Sequence, residues 1–125
     1  MDMRTPLGRV RGLGSAKEGT GHFWLQRVTA VANLFLVIFF LILVVRLSSG
    51  TYADVRAAFG NPFVGIAMAA TIISAVIHMR LGMQIVIEDY LHGAARIVAI
   101  LASTFFSVAI ALATLYAIVR LSFGA

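Results

Sequence analysis

The chain of 125 residues is 61% hydrophobic and only 12% charged, against about 45–50% apolar and about 25% charged residues in a soluble domain. One small core cannot hide that much apolar surface, so a bilayer is the natural solvent for a single domain of this length. The net charge of +5 comes from thinly spread basic residues with no basic-aromatic stripe, which argues against nucleic acid and for cations flanking membrane spans; the absence of cysteine excludes disulfides, thiolate metal sites, iron–sulfur ligation and c-type haem attachment, leaving His or Met to hold any redox centre.

Residues 1–23 are polar and broken by Gly8, Gly12, Gly14, Gly19 and Gly21, with Pro6 early. Glycine at this density disfavours an amphipathic helix, and neither a transit peptide nor a cleaved signal peptide fits. The segment reads as an extended tail lying against something. The first span, about 24–47, contains the charge-free run Val28 to Val45 between Arg27 and Arg46, with Phe23 and Trp24 at belt depth. Asn33 inside it reads as a helix–helix hydrogen-bond former. Residues 46–61 read as a loop carrying Arg46, Asp54 and Arg56. Asn61-Pro62 then marks a helix start, Asn as N-cap and Pro in the first turn.

The second span, about 62–89, is the polar one, with His78, Arg80 and Gln84 after an apolar first half rich in small residues. Gly93, after His92, reads as its left-handed C-cap. The third span, about 95–120, holds the uninterrupted apolar run Ile97 to Val119 and closes on Arg120. Its Ser103, Thr104 and Ser107 can bond their own helix backbone. The expected fold class is therefore all-α, an integral membrane protein of three transmembrane helices. Arg4, Arg9, Arg11, Lys17, Arg27, Arg80 and Arg96 fall on the tail side; Arg46, Arg56 and Arg120 fall on the other. That asymmetry predicts a cytoplasmic N-terminus and an outside C-terminus.

His78 stands sixteen positions after Pro62, about 24 Å along the helix at 1.5 Å per residue. An ionisable residue at that depth is a functional candidate; the alternative is a neutral His bonded to a neighbouring carbonyl. Ala70, Ser74, Ala75 and Gly82 leave the stripe beside it bare of bulk. A flat macrocycle could lie there with its iron over the ring nitrogen, or a neighbouring helix could pack closely. His22 and His92 lie near span ends, so a second ligand to such an iron would come from a partner protein, with the haem at the interface. Asp89 is eleven residues on, roughly 20° from the His78 face. Tyr90 follows it at the membrane–water boundary, where a phenol can donate to a quinone carbonyl and a carboxylate can orient it; it can equally be a belt tyrosine. Arg80 can snorkel or pair with an anion such as a haem propionate.

The run His78-Met-Arg-Leu-Gly82-Met-Gln-Ile-Val-Ile-Glu-Asp89-Tyr90 resembles the second span of the small hydrophobic membrane anchor of succinate dehydrogenase: His, Gly four later, then Asp-Tyr. The stretch from Gly8 through His22-Phe-Trp-Leu-Gln-Arg27-Val-Thr-Ala resembles the tail and first-helix start of α-proteobacterial members. The likeness covers most of the chain in the same three-span order. It implies that His78 is an axial ligand of a b-type haem shared with a partner anchor, that Tyr90 binds ubiquinone with Asp89 in support, and that Arg27 and His22 lie near the haem propionates. It assigns nothing to Arg80. It also implies three partners: a second membrane anchor that brings the other haem ligand, an iron–sulfur protein and a flavoprotein. The complex would sit in a bacterial inner membrane with the C-terminus of this chain periplasmic. The chain has no flavin motif and would not oxidise succinate alone. The reading from another class is a structural anchor or small transporter component without haem.

Overall fold

A computed structural model describes residues 3–12, 14 and 19–124. Their regular elements are all helical: α1 (Pro6–Val10), α2 (Thr20–Leu47), α3 (Tyr52–Gly60), α4 (Pro62–Tyr90) and α5 (Gly93–Phe123). The long helices have 28, 29 and 31 residues. At 1.5 Å per residue each exceeds about 40 Å, enough to cross a hydrocarbon core of about 30 Å. Each contains an 18-residue stretch apolar enough to span a membrane. They run up, down and up, and α4 stands between α2 and α5. Most large apolar side chains of α2 and α5 face outward, a surface suited to lipid or other helices.

Asn61 caps α4 as its sequence implies: its side-chain Oδ1 accepts from the Phe63 amide at 3.0 Å, and Pro62 occupies the first turn, where a missing N–H costs nothing. Four features differ from the expectations. The segment expected to be an extended tail contains α1, capped by the Thr5 hydroxyl, which accepts from Gly8 N–H at 3.0 Å. No residue of α1 is buried within this chain. The parts of the tail reading that fall on residues 1–2, 13 and 15–18, Lys17 among them, lie outside the described residues.

The segment 46–61 is not simply a loop. It carries α3, started by a capping box in which the Thr51 amide and hydroxyl both donate to Asp54 Oδ2, at 2.6 and 2.8 Å, and the Asp54 amide donates back to Thr51 Oγ1. Helix α3 packs on α4 and α5 and buries Phe59 with Met68 of α4 and Ile118 of α5, flanked by Leu43, Val64 and Leu115. This apolar cluster lies at the end of the bundle opposite the tail; Leu81 and Ile87 of α4 are buried apart from it, nearer the tail.

Gly93 has the expected left-handed backbone, φ +61°, but it opens α5 instead of closing α4. The extended residues Leu91 and His92 intervene, and Leu91 N–H closes α4 by bonding Ile87 O at 2.9 Å. Asn33 Oδ1 is buried without a hydrogen-bond partner among the described residues. Its Oδ1 therefore accepts no interhelical bond from the described residues.

Candidate functional site

The site is built on the half of α4 nearer the tail, where its contacts turn polar. One turn before His78, Ser74 is buried and its hydroxyl donates to the backbone carbonyl of Thr29 in α2 at 3.3 Å. The Thr29 hydroxyl lies 3.1 Å from His78 Nδ1. One turn beyond, a Cβ on Gly82 would sit 3.9 Å from Gln26 Nε2. Gln26, Thr29 and Asn33 recur at helical spacing on α2, so one polar stripe of α2 faces one small-residue stripe of α4. Within this chain, Ser74 on the stripe beside His78 packs against α2 through its bond to Thr29 O.

His78 itself is half-buried. Its Nδ1 is held by Thr29, and its Nε2 has no hydrogen bond to any described residue. That nitrogen is not among the sealed, unpartnered polar atoms, which are Gln26 Oε1, Asn33 Oδ1 and Ser122 Oγ. One ring nitrogen is thus engaged inside the bundle, and the other has no hydrogen bond to a described residue. This arrangement fits axial ligation of a haem iron, where the ring's second nitrogen is normally tied by a hydrogen bond that fixes its orientation. Among the described residues no group of three or more His, Asp or Glu could form a metal site of its own.

Arg80 turns the other way. Its Nε donates to Thr104 Oγ1 of α5 at 3.3 Å, so the hydroxyl of Thr104 serves α4. Ser107 alone of the serine–threonine group follows the expected local pattern, donating to Ser103 O at 2.7 Å. Further along, Gln84 Nε2 donates to Glu88 Oε1 at 2.9 Å, and Glu88 meets Arg96 of α5 at 3.5 Å. These contacts tie the end of α4 to the start of α5. The ion pair is solvent-screened, so it orients the turn more than it stabilises it.

Asp89 and Tyr90 end α4, both exposed, the tyrosine at 80%. Twelve residues separate Tyr90 from His78, about 18 Å along the axis, so the structure does not bring them together. Arg27 and His22 lie in the first turns of α2. The Arg27 guanidinium covers the Phe23 ring at 4.8 Å, and Phe23 meets Trp24 edge-on at 5.8 Å. Arg27 is exposed and His22 half-buried. Sequence reasoning passed over Thr29, because a threonine in an apolar helix ordinarily bonds its own backbone; nothing local signals a partner 49 positions away.

The profile of the succinate dehydrogenase/fumarate reductase transmembrane subunit family matches residues 1–118. The succinate dehydrogenase hydrophobic membrane anchor subunit of Paracoccus denitrificans is 39% identical over 121 residues, covering 97% of this chain and 94% of its own. The corresponding protein of Rickettsia bellii is 30% identical over 90 residues, 72% of each chain. The succinate dehydrogenase membrane anchor subunit of Reclinomonas americana is 32% identical over 83 residues, 62% of this chain and 67% of its own. No solved structure matches. With three spanning helices in place and a profile match over nearly its whole length, the chain belongs to the succinate dehydrogenase/fumarate reductase transmembrane subunit family, among the hydrophobic membrane anchors of succinate dehydrogenase.

Proposed function

We propose that this anchor supplies one axial ligand of a b-type haem and part of a ubiquinone pocket to a succinate:quinone oxidoreductase. The observation that carries the reading is His78, half-buried at membrane depth, with Nδ1 engaged by Thr29 and Nε2 without a hydrogen bond to a described residue. When bound, the haem supplies a one-electron centre within the membrane. His22 and His92 lie near helix ends, so His78 would hold the haem from this chain and a second ligand would be supplied by the partner anchor. Arg27 and His22, at the start of α2, are the residues of this chain offered to the haem propionates.

The quinone site is assigned to the tail end of α4. The exposed phenol of Tyr90 donates a hydrogen bond to a quinone carbonyl. Asp89 beside it orients the head group and takes part in proton delivery. Reduction of the quinone needs two electrons, which the iron–sulfur protein brings, and two protons, which reach it from the aqueous side where α4 ends. The tail side faces the cytoplasm and the C-terminus the periplasm of a bacterial inner membrane, by the distribution of basic residues. The flavoprotein oxidises succinate; this chain supports that reaction only by anchoring and by receiving its electrons.

The optical spectrum of the complex, purified with all its chains, tests the ligand assignment. A b-type absorption band lost in His78→Ala is the expected result. An intact complex without haem would overturn it and leave the chain a structural anchor.

A further inference from the structure

We propose that Thr29 is a positioning residue for His78, holding the imidazole in the tautomer and orientation that present Nε2 as a ligand. The inference rests on the assignment of His78 as a haem ligand.

The hydrogen-bond geometry at Thr29 favours one direction of the contact. A hydroxyl has one proton to donate. The Thr29 hydroxyl lies 2.8 Å from Leu25 O and 3.1 Å from Gln26 O, and both carbonyls can only accept. With its proton directed at those carbonyls, the oxygen meets His78 Nδ1 at 3.1 Å as an acceptor. In that arrangement the imidazole proton sits on Nδ1 and the lone pair on Nε2. This is the pattern in which a metal-bound histidine is oriented by a group on its other nitrogen.

The hydroxyl is itself fixed. Thr29 is 5% exposed, and as a β-branched residue it has few side-chain rotamers in a helix. Its backbone carbonyl accepts from Ser74 Oγ at 3.3 Å. Thr29 is thus bracketed by two α4 side chains one turn apart, Ser74 and His78. A slide of α2 along α4 would break both contacts together, so the rotational setting of the imidazole is coupled to the register of the two helices. An Nδ1–H donated to an oxygen also makes the imidazole a stronger electron donor to an iron on Nε2, which favours the oxidised metal.

The test uses the purified whole complex carrying Thr29→Val, Thr29→Ser or His78→Ala. Thr29→Val keeps the side chain's shape but removes the acceptor. The expected results are retention of low-spin haem with altered electron-paramagnetic-resonance g-values, a higher midpoint potential, and haem binding weaker by about 10–100-fold. Thr29→Ser is expected to restore all three toward wild type. A Thr29→Val spectrum and potential identical to wild type would overturn the role of Thr29, while the ligand assignment stands or falls separately on His78→Ala. Should Thr29→Val fail to assemble, solid-state NMR of the reduced wild-type complex decides: through-space transfer between the His78 Nδ1 proton and the Thr29 side chain is expected, and its absence overturns the proposal.

Discussion

The two ends of α4 are held to their neighbours by different physics. At the α3 end the contacts are apolar: Phe59, Met68 and Ile118 bury one another, and α5 comes so close that a Cβ on Gly65 would lie 2.9 Å from Ser122 Oγ. At the tail end polar contacts join the buried Leu81 and Ile87: Ser74 and His78 to Thr29, Arg80 to Thr104, Gln84 and Arg96 to Glu88. Lipid tails are as apolar as leucine, so burying a leucine between helices inside the bilayer gains little, and close small-residue approach and interhelical hydrogen bonds carry association there. Helix α3 is not a spanning helix, and it lets the first end draw on burial away from water.

The largest expected effect breaks the apolar end. Phe59→Ala removes the side chain that joins α3 to α4 and α5, and it should destabilise that end by about 3–5 kcal/mol, the range for a buried Phe→Ala change. Thermal unfolding of the purified complex reads it, together with faster amide exchange over residues 52–60. The haem spectrum and quinone reduction at permissive temperature should hardly change. Joint loss of both at that temperature would mean that the two ends are not independent.

Tyr90→Phe sharpens the other end. Loss of one hydrogen bond worth about 1.5–3 kcal/mol to the reacting quinone should lower quinone reduction by on the order of 10–100-fold. Succinate oxidation by an artificial acceptor should stay near wild type, since Tyr90 makes no contact that stabilises the bundle and is 80% exposed. Equal loss of both activities would count against the quinone assignment.

The same division explains what was legible in the sequence. Three long apolar runs, the Asn61-Pro62 start and the depth of His78 follow from composition and local spacing, and each is a helix-scale signal. The capping box of α3 was also local: Thr51 and Asp54 stand three apart, as such a box requires, but the arginines around them made the segment read as a loop. Gly93 was legible as a left-handed residue and not as the opening of α5, because that depends on the extended pair Leu91 and His92. The Thr29–His78 contact and the turn of Arg80 toward Thr104 could not be read from spacing. They arise from the register of antiparallel helices, which no single segment encodes.

The smallest effect concerns Asp54, at the entrance to α3. Hydrogen bonds from the Thr51 amide, and then from the Thr51 hydroxyl, hold its carboxyl below the ordinary aspartate pKa. A depressed folded-state pKa contributes stability that is fully present above the unfolded value and is lost as pH falls through the folded one. The cap should therefore be intact at neutral pH and weaken only in acid, at pH values below the usual aspartate range. Because the carboxyl is exposed, water competes for it and the loss should be confined to the first turn of α3. Amide exchange at Tyr52 to Val55 should accelerate on acidification beyond the intrinsic pH trend, and Asp54→Asn should remove that excess. If the acceleration instead spread to Met68 and Ile118, the apolar end would depend on its cap, and α3 could not be treated as held by Phe59 alone.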